Sequence, residues 1–301
     1  MSKSIEETQW YSYTSSTQTM RTWARHIEAF EDVPESFQDI FPQQQEPFPY
    51  TVYLPEDKSS KFFKRDEKII SVFENHFVLL ESINDEIIIR SSEFSDVVIF
   101  ERGKILLNSW VKIKTSSDTF DLRFNTTNDH LLQPVEDIVR QKMAEIALAG
   151  EMPRNEIEAP DLSKFNFLDK INFKFLNYGR ASIRSNDRVL DVIYQPELTL
   201  QNIRFFNKTV FKRYKTDHLF ILTDKELIFI QEDKQIRNNF DPAHGGVFIF
   251  IPRYQIQDVA FTPHPESSST MMEITLPNNT QFSTEFSSTN ENLPRLQGLL
   301  G

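Results

Sequence analysis

F-D-L-R-F-N-T-T-N-D-H-L, residues 120–131, returns 162 positions later as F-S-T-E-F-S-S-T-N-E-N-L, residues 282–293. Phe120, Phe124, Thr127, Asn128 and Leu131 recur as Phe282, Phe286, Thr289, Asn290 and Leu293. Moving outward at the same offset, Ile87 matches Ile249, Ile89 matches Ile251, and Asp96-Val97 matches Asp258-Val259. Positions 87–131 and 249–293 thus share nine identities in 45, where unrelated segments of average composition share roughly three. A duplication of this kind sets the domain count and narrows the fold before any chemistry is considered. It names no reaction.

Around the repeat the chain reads as strands. K-I-I-S-V-F at 68–73 and H-F-V-L-L at 76–80 flank Glu74-Asn75, a two-residue hairpin signal. H-L-F-I-L at 218–222 and E-L-I-F-I at 226–230 flank a second hairpin at Asp224-Lys225, 150 positions later. The offset grows from 150 to 162 through about 12 extra residues between 233 and 248, a stretch rich in Gly, Asn, Asp and Pro that reads as an inserted loop. Apolar, β-branched runs at 86–90, 95–100, 105–113 and 119–124 continue the first copy, and runs at 247–251, 256–262, 271–276 and 281–286 continue the second. Each copy closes on a helix. Leu132, Val135, Ile138, Val139, Met143 and Ile146 recur at helical spacing, with Thr127 or Asn128 as the expected cap, Pro134 in the first turn and Gly150 at the end. The second helix starts near Asn290 and is shorter. Met20, Trp23, Ala24, Ile27 and Phe30 predict a short amphipathic helix over 17–31, with Trp23 packing on the first domain or docking on a partner. The resulting division is an N-terminal extension over 1–48, domains over 49–150 and 165–301, and a linker over 151–164.

Composition narrows the function classes. There is no cysteine among the 301 residues, so disulfides, thiolate zinc sites and thiol catalysis are excluded, and a cytoplasmic setting is expected. No signal peptide and no membrane-spanning apolar run is visible. The sequons at Asn125, Asn207 and Asn278 are read as accidents of composition. A net charge of −11 repels phosphate backbones, so no nucleic-acid partner is expected. Seven glycines cannot build the common phosphate-cradling loops. No cofactor and no metal is expected, and no nucleophile can be named.

Short strands followed by one amphipathic helix, about 100 residues per copy, resemble the pleckstrin-homology (PH) and GRAM-like domains, in particular the bacterial PH-like ones. The resemblance rests on D-R-V-L-D-V-I-Y-Q-P at 187–196, on H-L-F-I-L-T-D-K-E-L-I-F-I at 218–230 with its Thr-Asp between strands, and on Y-Q-I-Q-D-V-A-F at 254–261. It covers 187–301 well and 50–148 through the internal repeat. It implies an α+β chain of two tandem, partly open antiparallel β-barrels, each closed by a C-terminal helix. It implies no activity, because this fold hosts unrelated functions.

The candidate site is itself repeated. Phe63-Lys64-Arg65 precedes the first hairpin, with Lys58, Lys61 and Lys68 nearby; Phe211-Lys212-Arg213 precedes the second, with Lys208 and Lys215 nearby. In PH-type domains that bind phosphoinositides, basic residues at the mouth of the early strands hold the head group, and Lys and Arg suit phosphate. Lys61, Lys64, Arg65, Lys68, Lys212, Arg213 and Lys215 are therefore the candidate ligand-binding residues. The plainer reading is strand-end charge guarding an edge. Phe120, Phe124, Phe282 and Phe286 read as core rather than a ligand platform, and Asp96 and Asp258 as strand-end residues rather than a catalytic pair. Of His26, His76, His130, His218, His244 and His264, only His244, in D-P-A-H-G-G, shares a flexible loop with a carboxylate. The leading expectation is a non-catalytic module that contacts a protein or peptide, for instance along an exposed sheet edge. The alternatives are anionic lipid bound by the Phe-Lys-Arg clusters and an enzyme built around the 233–248 loop.

Overall fold

The structure, a computed structural model, describes residues 23–42, 47–57, 65–84, 86–105, 108–149, 159–205, 208–232, 245–264 and 268–300, with the side chains of 199–205 and 208–214 outside the description. The described chain is α+β with mostly antiparallel sheets. It begins with β1 (Arg25–Ile27), a 3-10 turn (Phe30–Asp32) and the one-turn helix α1 (Glu35–Gln38). Then come β2 (Tyr50–Leu54), β3 (Glu67–Val72), β4 (His76–Ile83) and β5 (Glu86–Glu93). A 3-10 turn (Phe94–Asp96) leads to β6 (Val97–Ile105), β7 (Asn108–Thr115), β8 (Thr119–Asn125) and the helix α2 (Asp129–Leu148). A long 3-10 helix (Leu162–Lys170) and α3 (Phe173–Ala181) precede β9 (Val189–Gln195), β10 (Leu198–Phe205), β11 (Lys208–Lys215), β12 (His218–Thr223), β13 (Glu226–Gln231) and β14 (Gly245–Pro252). A 3-10 turn (Arg253–Gln255), β15 (Asp258–His264), β16 (Ser269–Leu276), β17 (Thr280–Ser287) and α4 (Leu293–Leu300) finish it.

The two stretches matched in sequence carry the same order of a strand, a 3-10 turn, three further strands and a helix, apart from a second 3-10 turn that precedes the helix in one (Thr126–Asn128) and the last strand in the other (Pro277–Asn279). The sheets are β1-β2-β3-β4-β5, β10-β11, β8-β7-β6-β14-β13-β12-β9 and β15-β16-β17. Among the described residues, no sheet closes on itself. After the turn at Phe94–Asp96, β6 takes β14 as its antiparallel neighbour, from Gly245↔Ile105 to Phe250↔Phe100. The approach is close. A Cβ on Gly245 would stand 2.1 Å from the Lys104 carbonyl oxygen, so only glycine fits there.

The chain forms two compact units, one of residues 1–96, 107–111 and 120–142, the other of 97–106, 112–119 and 143–301. In the first unit, Tyr53, Ile69, Val78 and Leu80 from β2, β3 and β4 meet Ile27, Val33, Phe37 and Phe41 in one buried cluster. Phe77 lies 4.8 Å, edge to face, from Phe120, and Phe124 is buried too. The helix expected over 17–31 is corrected here. Residues 17–22 lie outside the described part, and Arg25–Ile27 pair with Tyr53–Thr51 as an edge strand. His26 stacks on Tyr50 at 4.6 Å, so tertiary pairing overrides the helical spacing. Trp23 is 44% exposed and does not pack into the core. Asn125 Oδ1 accepts the Thr127 N–H at 3.0 Å and caps a 3-10 turn over Thr126–Asn128; α2 begins at Asp129, directly after Asn128, which moves Pro134 beyond the first turn.

The second unit is built on β12 and β13, in which eleven of the twelve residues are buried, eight of them hydrophobic, so that both faces are covered. That is why H-L-F-I-L-T and E-L-I-F-I read as unbroken apolar runs rather than as alternation. Thr223 shapes their hairpin, its Oγ1 accepting the N–H groups of Lys225 and Glu226 at 3.2 and 3.0 Å. Phe282 and Phe286 from β17 pack edge-to-face on Phe229 and Phe220, which makes both of them core. The 3-10 helix at Leu162–Lys170 and α3 pack on this unit through Phe165, Leu168, Phe175 and Leu176. A Cβ on Gly179 would lie 2.7 Å from the Phe165 ring, so α3 needs a glycine there.

Candidate functional site

Arg65 and Lys68 stand at the start of β3, beside a cavity of about 140 Å³ lined by Leu54, Arg65, Asp66, Lys68, Asp121 and Arg123. Each cation is engaged. Arg65 Nη2 lies 2.6 Å from Asp57 Oδ2, its backbone bridges Asp57, and its Nη1 donates to the Arg123 carbonyl at 3.4 Å. Lys68 Nζ pairs with Glu81 and donates to the Asp121 carbonyl at 2.9 Å. Glu81 is buried and also takes Arg90 Nη2 at 2.6 Å, whose guanidinium stands 5.4 Å over the Phe120 ring. Arg123 pairs with Asp121 at 3.2 Å. Carboxylates therefore balance the cations here, and an incoming anion must displace one of them. A pair with so little exposure loses much of its worth when one partner is removed.

Among the remaining candidates, Lys61 and Lys64 lie outside the described residues, as do His244 and residues 233–244 of the inserted loop. Lys212 and Arg213 belong to β11, opposite Asn202 and Gln201 in register, and their side chains are outside the description. Lys215 is half-buried with its ammonium 5.4 Å over the Phe229 ring. Asp96 ends a 3-10 turn and Asp258 opens β15, both exposed. Among the described residues, no group of three or more His, Asp or Glu is placed to hold a metal ion.

Three features escaped the sequence reading. The first is buried polarity in the second unit. His218 has no exposed surface, lies 5.0 and 5.3 Å from the Phe229 and Phe286 rings, and faces the Thr216 carbonyl through Nδ1 and the Thr284 hydroxyl through Nε2. A carbonyl can only accept, so Nδ1 carries the proton and Nε2 accepts. Burial pushes its pKa down to about 3, with Thr216 and Asp217 opposing and Lys215 assisting. Nearby, Arg184 and Lys225 lie 3.0 and 3.3 Å from the buried Asp187, and Arg184 lies 3.5 Å from Glu226. Burial pushes the Asp187 carboxyl up, but Arg184 and Lys225 outweigh it and hold the group below its usual value.

The second is a groove of about 680 Å³ in the first unit, lined by Phe48, Pro49, Tyr50, Phe73, His76 and Ile138 among others. Phe73 and His76 stack at 4.6 Å, and the Tyr50 hydroxyl is spent on the Leu131 carbonyl at 2.9 Å.

The third is the outer edge of the five-stranded sheet. Among the described residues β5 has a strand neighbour on one side only, β4. Ile88 and Ile89 on β5 are 42% and 52% exposed. The signal was present in E-I-I-I-R: three isoleucines in a row must place at least one on each face of a strand. In the second unit the strand at the matching place, β14, is not an edge, because β6 covers it. Among the described residues, no helix is long and apolar enough to cross a membrane. Neither a family model nor a curated protein matches the chain.

Proposed function

We propose that the chain is a cytoplasmic, tandem PH-like binding module whose first repeat takes an extended segment of a protein partner as an added antiparallel strand along β5. The PH-like reading is supported by element order. Each repeat supplies four strands (β2 to β5, then β9, β12, β13 and β14), three more (β6 to β8, then β15 to β17) and a closing helix, with β10-β11 as an insertion in the second.

One observation carries the binding role. The two repeats present the same edge, and in one of them that edge is filled by an antiparallel strand, β6 on β14, while in the other it exposes Ile88 and Ile89. A row of unpaired backbone groups beside exposed isoleucines is a template for strand addition: the backbone supplies affinity and alternate side chains supply selection. Another edge strand, β15, carries Pro263, whose missing N–H blunts an edge; β5 has no proline. The basic clusters support the lipid alternative less well, since Arg65 and Lys68 are both held by carboxylates.

The test uses V-V-I-F-E-R-G-K-I, the sequence of β6, as a free peptide added to the full chain. The amides of residues 86–93 are expected to gain hydrogen-exchange protection, and Ile88→Lys with Ile89→Lys is expected to remove the gain while leaving the thermal midpoint in place. No protection in the unmodified chain, or protection that survives the double substitution, overturns the proposal.

A further inference from the structure

We infer that the corner between the 3-10 helix Leu162–Lys170 and α3 is a docking surface for an anionic lipid bilayer, a role independent of the β5 edge. The sequence of the corner, L-S-K-F-N-F-L-D-K-I-N-F-K-F-L, alternates two fates for its apolar side chains. Phe165 and Leu168, one 3-10 turn apart, are fully buried, and Phe175 and Leu176 are buried as well. Phe167, Ile171 and Phe173 are left 41%, 58% and 61% exposed. Three of the nine large apolar side chains exposed among the described residues thus fall within seven consecutive positions, and they include the two most exposed. Scattered surface apolar residues need no explanation, but a concentration of them marks a contact surface.

Two properties of the corner select a bilayer as the occupant. The first is its backbone. The N–H groups of Ile171 and Asn172 both donate to the Leu168 carbonyl, at 3.1 and 2.8 Å, and Asn172 Oδ1 caps α3 by accepting from the Phe175 N–H at 3.3 Å. Three N–H groups of the turn that presents Ile171 and Phe173 are thus satisfied internally, which lowers the cost of bringing it to a bilayer surface. The second is its charge. Lys164, Lys170, Lys174 and Arg180 flank the apolar trio in sequence against one carboxylate between 164 and 180, Asp169, in a chain of net charge −11. Lys164 donates to the Leu190 carbonyl and Arg180 to Asn166 Oδ1, neutral acceptors that leave both charges in place; Lys174 is paired with Glu232 at 3.2 Å. Asp161, just before the stretch, is held below its usual pKa by Ser163 and stays charged.

Protein-docking patches are enriched in aromatics but depleted in lysine. Exposed Phe and Ile interspersed with lysine is instead the composition of an interfacial anchor, whose apolar groups enter the headgroup boundary while the cations meet anionic lipid. The acidic remainder of the chain is repelled by the same surface, so docking through this corner also sets one orientation.

The test is flotation of the full chain with phosphatidylcholine vesicles made with and without phosphatidylserine, at low and at physiological salt. The unmodified chain is expected to float with the serine lipid, and to do so less at the higher salt. The triple substitution Phe167→Ser, Ile171→Ser, Phe173→Ser is expected to lower the partition about tenfold or more, since three apolar anchors are lost. Lys170→Glu is expected to weaken flotation only on the anionic vesicles. Because all four side chains are exposed, the melting temperature should be unmoved, and Phe173→Trp reports insertion directly through a blue-shifted emission on vesicles. Absence of flotation by the unmodified chain at low salt, undiminished flotation of the triple variant, or a tryptophan emission unchanged by vesicles overturns the inference. So does a triple variant that loses concentration-dependent self-association instead, which would assign the corner to a second copy of this chain.

Discussion

Replacing His218 by Gln should make the chain less sensitive to mild acid. His218 is sealed between Phe229 and Phe286 with both ring nitrogens satisfied, and its pKa falls from 6.5 to about 3. The unfolded chain then binds the proton at a pH where the folded chain refuses it. Stability from this group is complete above the unfolded value of 6.5 and drains away as pH falls toward the folded value. Between these limits the slope approaches about 1.4 kcal/mol per pH unit. Integrated from neutrality to pH 5, the loss is about 2 kcal/mol, a large share of the stability of an ordinary domain. Most carboxylates have not begun to protonate in that interval, and subtracting the variant removes the other histidines. Urea unfolding of both proteins from pH 7.5 to 5 provides the measurement, with the change in midpoint converted through a shared slope. The difference between the two proteins should shrink by about 2 kcal/mol across the series. Parallel pH profiles would refute the reasoning, and would mean that His218 is solvated or that its ring is charged in the fold.

Phe124→Ala and Phe286→Ala each empty a site with no more than a few percent exposure and should cost about 3–5 kcal/mol, seen as a fall in the denaturant midpoint. Asp187→Ala leaves Lys225 buried beside an empty place and should cost about 3–5 kcal/mol, whereas an unchanged midpoint would show that water reaches the ammonium. Arg65→Ala should lower stability through the lost pair with Asp57, by about 1–3 kcal/mol, and leave vesicle flotation as it was; a flotation defect with unchanged stability would restore the head-group reading of that cluster.

The strands and hairpins were legible because their cause is local. Glu74-Asn75 and Asp224-Lys225 stand between apolar runs of strand length, and both hairpins form there. The paired phenylalanines were legible because a spacing of four along a strand keeps both rings on one face, and both pairs are buried. The failures have non-local causes. Residues 25–27 become a strand because β2 offers an edge to pair with, which no window of their own sequence contains. The pairing of Lys68 with Glu81, brought alongside by the β3-β4 register, was likewise invisible in its own stretch of sequence. His218 stood in a hairpin strand and drew no attention, since only the packing of Phe286 and Thr284 from β17 makes it buried. Helices at 162–181 passed unmarked although Asp161 and Asn172 both cap, because the apolar residues there serve two surfaces and blur the period.

The pairing of β6 with β14 also has a consequence in time. Phe100 and Phe250 are sheet neighbours, yet the ribosome makes one of them long before the other. At about 5–20 residues per second, β6 waits roughly 7 to 30 seconds for its partner to be made. Contacts this distant in sequence raise the contact order and slow folding, and they do so for a strand whose bare backbone invites the wrong neighbour meanwhile. The nascent chain is thus most vulnerable to aggregation between the synthesis of residue 105 and that of residue 245. A fragment truncated within that interval would carry the vulnerability permanently, which makes the intact chain the safer unit of expression.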